Sequence, residues 1–298
     1  MDNFNELPPG IYGRHGYFFG DWSESHAKYL SESRFPMVTL EGDWNDLSFL
    51  GGLGESIRWL RVINKSRQIK GVEQFGNLET LIVGFEPKNI SPILEIPKLN
   101  SLEVVSKNLI SFCSMGTLEK LKIVGAEDGN ISVTNNTLRE LDLISPHSNW
   151  LGCIGMLVSL ESLTVYGAKG LQNIDFISGA KTLKVFMAES CHKLNDVRAL
   201  SSLKSIQKIS IVRCPIEELA GFHGNTSLQF LHVGGLPVRI KWDDLLSVKT
   251  LQRIVVYVCE DKSTEDEIVS AVRSLGRVIE KLSITGKKNK LVDVVLSA

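Results

Sequence analysis

The sequence predicts an α/β solenoid, a stack of short coils whose strands line up in one parallel sheet. Three observations lead there: an apolar phrase that returns about every twenty residues, a second apolar rhythm of period three inside each return, and two chain ends that break both patterns. The phrase is an aliphatic residue, two variable positions, an aliphatic residue, one variable position and a third aliphatic residue. From Ile57-x-x-Leu60-x-Val62 it recurs at Leu78, Leu99, Leu118, Leu138, Leu160, Ile206, Leu228 and Leu251, and a degenerate copy, Leu183-x-x-Phe186-x-Ala188, fills the gap. Successive copies begin 19–23 residues apart, a spacing that means stacked repeats, each burying its apolar face against its neighbours. About 10–11 such repeats over residues 37–260 make the solenoid.

The N-terminal segment, residues 1–36, departs from the phrase and is read as a cap. Eleven of the 22 aromatic residues, from Phe4 through Tyr17, Trp22 and Phe35 to Trp59, fall in the first 60 positions, enough to cover the apolar edge of a first strand. A sharper alternative makes Gly13–Gly20 a mobile binding loop, but exposed aromatics at that density invite aggregation. Met37-x-x-Leu40, followed by Leu47 and Leu50, looks like a first, worn repeat under the cap.

After each strand come apolar residues three apart, as in Ile69, Val72, Phe75; Ile90, Ile93, Ile96; Leu109, Phe112, Met115; Leu151, Ile154, Leu157; Leu171, Ile174, Ile177; and Ile216, Leu219, Phe222. Residues i and i+3 eclipse in a 3₁₀ turn, and repeats this short leave no room for a long helix, so short 3₁₀ or irregular turns should form the convex side. In residues 261–298, Ser263 and the acidic run Glu265-Asp266-Glu267 open a helix with Ile268, Val269, Val272 and Leu275 on its apolar face, closed by Gly276. Val278–Ile284 and Leu291–Leu296 then read as a hairpin around Gly286–Lys290. Ile279-x-x-Leu282-x-Ile284 repeats the phrase, so the first hairpin strand is expected to continue the sheet, and the charged turn to discourage self-association at its edge.

The phrase resembles that of the leucine-rich repeat family, whose motif continues with Asn or Cys three residues after the third aliphatic position. Cys191, Cys214 and Cys259 hold that place in three repeats and Ala126 and Ala168 in two, while Asn64 and Asn108 stand one residue to either side of it. The resemblance covers most of the chain. It implies a curved parallel sheet on a concave face, and a protein that binds another protein with that face. Short repeats look like those of bacterial cytoplasmic members of the family.

Composition excludes several classes. A net charge of −1 with scattered Lys and Arg predicts no counterion-driven binding to nucleic acid. No apolar run reaches the roughly 18 residues of a membrane helix, and the first residues lack the basic and apolar regions of a secretory signal, so the expected location is the cytoplasm. Five cysteines without C-x-x-C, three at equivalent repeat positions, read as small buried hydrophobes. The six histidines show no metal-ligand spacing, and no phosphate loop or nucleophile elbow is present. Neither an enzyme nor a cofactor is expected.

Function should lie on the strand residues that alternate with the buried ones. Trp59 and Arg61 open this face. Its centre is charged, with Lys120 expected beside Glu140 and Lys122 beside Asp142 as neighbours on adjacent strands. Its C-terminal half turns apolar and aromatic: Tyr166, Met187, Phe230, His232 and Tyr257, with Val185, Val212 and Val255 between them. An apolar patch on a solvated sheet face marks a contact site. The expected partner is a folded protein, with the chain a monomer when unbound. A stoichiometric inhibitor is favoured, and the resemblance to the family implies a bacterial immunity protein against a toxin or effector domain. The alternative is a scaffold or the ligand-recognition domain of a larger immune-type sensor.

Overall fold

The structure, a computed structural model, describes residues 4–21, 24–127, 137–147, 152–223, 225–236, 238–259, 264–285 and 289–297. The chain divides into two compact units, Met1–Ala126 and Glu127–Ala298.

The first unit runs β1 (Phe4–Gly10), β2 (Gly13–Phe19), α1 (Glu24–Ser33), β3 (Met37–Gly42), β4 (Trp59–Asn64), β5 (Thr80–Val83), α2 (Ser91–Leu94), β6 (Ser101–Val105), α3 (Leu109–Cys113) and β7 (Lys120–Val124). β1 and β2 form an antiparallel hairpin, and β2 through β7 are parallel, each aligned with the next. The second unit contributes β8 (Glu140–Ile144), β9 (Ser162–Tyr166), β10 (Val185–Glu189), β11 (Lys208–Val212), β12 (Glu218–Leu219), β13 (Phe230–Gly234), β14 (Arg239–Ile240), α4 (Trp242–Leu246), β15 (Arg253–Cys259), α5 (Thr264–Ser274), β16 (Ile279–Thr285) and β17 (Asn289–Leu296). Here β8, β9, β10, β11, β13 and β15 are parallel neighbours in that order.

The repeat phrase is the core. In all ten copies the three aliphatic positions are at most 2% exposed, including Phe186 and Ala188 of the degenerate one. Two residues after the third position the chain must turn off the strand, and a left-handed backbone does it at Gly125, Ser145, Gly167, Ser190, Arg213 and Gly235. In the second unit the amides of Ser145, Gly167, Ser190 and Arg213 still donate to the next coil, at 2.7–2.9 Å, so the turn extends the ladder by one bond per coil. Asn64, one place early for the family's Asn position, nevertheless ties adjacent coils: its Nδ2 donates to the Trp44 carbonyl at 2.6 Å and to that of Gln68 at 2.9 Å, while Oδ1 accepts from the Trp44 amide at 3.0 Å. Cys191 and Cys214 are buried free thiols, as is Cys113.

The outer turns follow the apolar spacing. At Asp175–Gly179 and Arg198–Ser202, where burial recurs at three, the turn is 3₁₀, although Ile93 and Ile96 keep the same spacing in a coil whose turn is the α turn α2. Where three and four are both buried, one α turn forms: Leu109, Phe112 and Cys113 in α3, and Trp242, Leu245 and Leu246 in α4. The triplet Ile216, Leu219, Phe222 forms no helical turn; its centre is β12, which pairs in parallel with β14. Ile90, the one half-buried member among the described triplet residues, stands outside α2 as its N-terminal flank.

Both ends correct the sequence reading. Gly13–Gly20 is not a loop, since Gly13–Phe19 is β2, hydrogen-bonded to β3 in the register of the repeats. The worn repeat is Phe35-x-x-Val38-x-Leu40, because Val38 and Leu40 align with Leu60 and Val62; Met37 is buried but off phase. Phe4, Phe18, Tyr29 and Phe35 do form an aromatic cluster, with ring centroids 4.6–5.9 Å apart. Trp22 lies outside the described residues. At the other end β17, the second hairpin strand, pairs with β15, in antiparallel fashion, and β16 is the edge strand, so Ile279, Leu282 and Ile284 do not continue the solenoid. The insertion of α5 delivers the chain to the far side, and only the return strand reaches β15. Gly276 ends α5 with φ 65°, and the Arg277 amide bonding back to Val272 at 3.0 Å completes a Schellman closure. Ile268, Ala271 and Val272 are buried, but Leu275 is 41% exposed. Ser263, Leu151 and the turn residues 286–288 lie outside the described residues.

Candidate binding face

Alternation along each strand turns a second set of side chains to the opposite sheet face. In the second unit the register stacks them in rows: Ser162, Val185, Lys208, Phe230, Arg253 and Val295 in one; Thr164, Met187, Ser210, His232, Val255 and Asp293 in the next; and Tyr166, Glu189 and Val212 in a third, which leads towards Gly234. Tyr257 lies on the same alternation of β15, opposite Leu291. Tyr166 is 41% exposed, and Val185, Met187, Val212, Phe230, His232, Val255 and Tyr257 are half-buried. A solvated sheet face ordinarily carries polar residues at these positions. The register thus gathers Tyr166, Met187, Phe230 and His232 on one surface with Tyr257.

Polar contacts hold that surface in place. The Lys208 ammonium sits 5.6 Å from the Phe230 ring centroid, a cation–π arrangement. His232 Nδ1 is 3.2 Å from Ser210 Oγ. Burial is the main reason the imidazole titrates below its usual range, and the positive charges of Arg253 and Lys208 add to it, so His232 stands neutral at physiological pH. A Cβ on Gly234 would meet His232 Nε2 at 2.9 Å; the bare glycine leaves room for the ring. Arg253 is committed to Asp293 through two parallel bonds of 3.0 and 3.1 Å, with Lys281 3.8 Å from the same carboxylate. Asp293, 15% exposed on its side chain, belongs to this face through the C-terminal hairpin, and only the observed strand order brings it there. Its local signal was alternation: Val292, Val294 and Leu296 are buried and Asp293 faces the other way.

Lys122 pairs with Glu103 on β6, at 3.1 Å. Asp142 is half-buried and aligned with Thr164; Lys120 and Glu140 are exposed on β7 and β8. Trp59 and Arg61 lie on β4 in the first unit, where the N-terminal strands add residues that the sequence reading assigned to a cap: His15, 5.1 Å from the Trp59 ring, and Tyr17. Among the described residues no group of three His, Cys, Asp or Glu is placed to hold a metal ion, and no helix is long and apolar enough to cross a membrane.

No protein-family model matches the chain, and no curated protein matches it in sequence. Solved structures do. An internalin, InlF, from Listeria monocytogenes is similar with a TM-score of 0.58 at 13% identity, over 80% of this chain and 79% of that one. The leucine-rich repeat protein LIC12759 of Leptospira interrogans is similar with a TM-score of 0.51 at 21% identity, over 80% and 71%. With the ten buried copies of the phrase and their parallel strands, these likenesses show a leucine-rich repeat fold.

Proposed function

We propose that the protein is a non-catalytic binding module that engages a folded protein partner with the sheet face of its second unit. One observation carries this: Tyr166, Met187, Phe230, Val255 and Tyr257 remain partly exposed on a face where alternation should bring polar residues, while the core beneath them is complete. A rigid ladder loses little conformational freedom on binding, and Tyr and Phe on strands supply contact area at low entropic cost. Neutral His232 adds a donor and an acceptor to an apolar surface without the desolvation cost of a cation. Within this reading the chain is a cytoplasmic, stoichiometric inhibitor, monomeric until bound, of the kind that neutralises a toxin or effector domain; the family resemblance and the absence of a metal or phosphate motif in the sequence support that role.

The test is affinity capture from the native cell with the tagged full chain, paired with a Phe230→Ala/Tyr257→Ala variant and read by mass spectrometry. The expected result is one protein recovered in equal amount with the bait and lost with the variant. Recovery of the same partner by the variant would move the site to another surface.

A further inference from the structure

In the first unit, β2, β3 and β4 place His15, Tyr17, Thr39, Trp59 and Arg61 on one sheet face. Thr39 points to that face yet is only 5% exposed, because its neighbours close over it. His15 Nε2 lies 2.9 Å from Thr39 Oγ1, and the Trp59 ring stands edge-on to the imidazole, at 5.1 Å and 74°. Tyr17 packs on Phe19 with centroids 5.5 Å apart and donates its hydroxyl to Glu41, so the carboxylate nearest in this register is already engaged. Arg61, aligned between Thr39 and Ile82, is exposed and makes no ion pair or hydrogen bond with any described residue. Burial lowers the titration range of His15 and the Arg61 charge adds to it, while the Glu41 hydrogen bond and burial raise that of Tyr17 against the opposing charge of Arg61, so Arg61 lies close to both. Of the other arginines of this unit, Arg14 is held by Glu6, Arg58 by Glu79 and Arg67 by Glu86, while Arg34 is exposed like Arg61 but has no aromatic ring contact among the described residues.

An exposed guanidinium bordered by Trp, Tyr and a half-buried Ile has an unmet valence of definite chemistry. The fork of N–H donors matches both oxygens of a carboxylate, and adjacent rings exclude water from the contact, strengthening it. Arg, Trp and Tyr are also the residues that dominate protein interfaces. We propose that Arg61, walled by Trp59, Tyr17 and His15, is a recognition site for an exposed Asp or Glu side chain on a partner protein. His15 serves as a neutral neighbour that positions Trp59 rather than as a second cation. The site belongs to the first unit and stands independently of the Phe230 surface.

A peptide array tests it: short peptides with a central Asp or Glu between aliphatic residues, each beside its Asn or Gln twin, probed with the labelled full chain. The wild type should retain acidic peptides at least about tenfold more than their amide twins, the scale of a charge-assisted hydrogen-bonded pair. Arg61→Gln should bring the ratio close to one. Arg61→Lys should restore only part of it, because the charge returns without the fork, and Arg34→Gln, at another exposed arginine, should leave it intact. Thermal unfolding of each variant verifies that it is folded. No acid preference in the wild type, a preference that survives Arg61→Gln, or one abolished by Phe230→Ala would each overturn the assignment.

Discussion

Phe230 and Leu231 are adjacent on β13 and point to opposite faces, so truncating each separates binding from folding. Leu231 is fully buried and aligned between Ile209 and Ile254, which are equally buried. Those neighbours are pinned by their own strand ladders, and a cavity at Leu231 has little room to collapse. Leu231→Ala should therefore cost about 2–5 kcal/mol of stability, a fall in Tm of roughly 4–10 °C for a chain this long. Phe230 is half-buried on the opposite face, with its ring centroid 6.5 Å from that of His232 and a cation–π contact to Lys208 worth about 0.5–1 kcal/mol. Phe230→Ala should leave Tm within a few degrees and cost about 2 kcal/mol or more of partner affinity, near thirtyfold in Kd. Differential scanning calorimetry of the free proteins and titration calorimetry with the captured partner measure the two quantities. A Phe230→Ala protein as unstable as Leu231→Ala, or one with undiminished affinity, would refute the division of β13 into a structural and a binding side.

Three further outcomes follow from the packing. His15 and His232 both titrate below the ordinary value near 6.5, chiefly through burial, so the unfolded chain takes up protons there that the folded chain does not. Their contribution to stability is full above about pH 6.5 and is lost as pH falls through their folded values; urea midpoints between pH 7.5 and 5 should decline, and His15→Gln/His232→Gln should flatten that decline. At the left-handed turn, Ser190→Gly should stabilise by roughly 0.5–1 kcal/mol, whereas Gly167→Ala, whose methyl would also meet Ser145 Oγ at 3.2 Å, should cost about 1 kcal/mol or more, both read from urea midpoints. Arg277 donates to the carbonyls of Leu246, Val248, Lys249 and Leu251, with the bond to Val248 at 2.8 Å; Arg277→Ala should cost about 2–3 kcal/mol and raise amide exchange in α4, with Arg277→Lys only partly restoring protection.

How much of this was legible in the sequence depended on how many positions each feature constrains. A coil of the solenoid commits three aliphatic residues at fixed spacing, and ten repetitions leave no doubt about which strand residues face inward; even Phe186 and Ala188 obey. Where a coil uses other residues the signal fails: β2 carries Gly16 and Phe18 at the two inward positions, and Met37 imitates an aliphatic position one residue before the true one at Val38. Strand order in the C-terminal hairpin is a property of where α5 returns the chain, which no local period encodes, and so Asp293 and its hold on Arg253 were hidden.

The binding surface is less legible for a related reason. Its residues are those the coil does not constrain, so their identity carries information about a partner, but their pairing is decided by neighbouring strands, as Arg253 shows in pairing with Asp293 of the C-terminal hairpin. The left-handed turn marks the boundary between the two regimes. Its geometry is demanded in six coils, yet three use Gly and three use Ser or Arg. A non-glycine residue there costs about 1–2 kcal/mol, which the ladder bonds on either side tolerate. At Arg213 the strained residue also reaches Glu189 on the exposed face, whereas at Gly235 a Cβ would meet the Arg213 Cγ at 2.8 Å. An arginine in one coil thus requires a glycine in the next. The row does not alternate strictly, since Ser190 is followed by Arg213; the constraint acts between the coils of Arg213 and Gly235, and it is visible only once those coils are stacked.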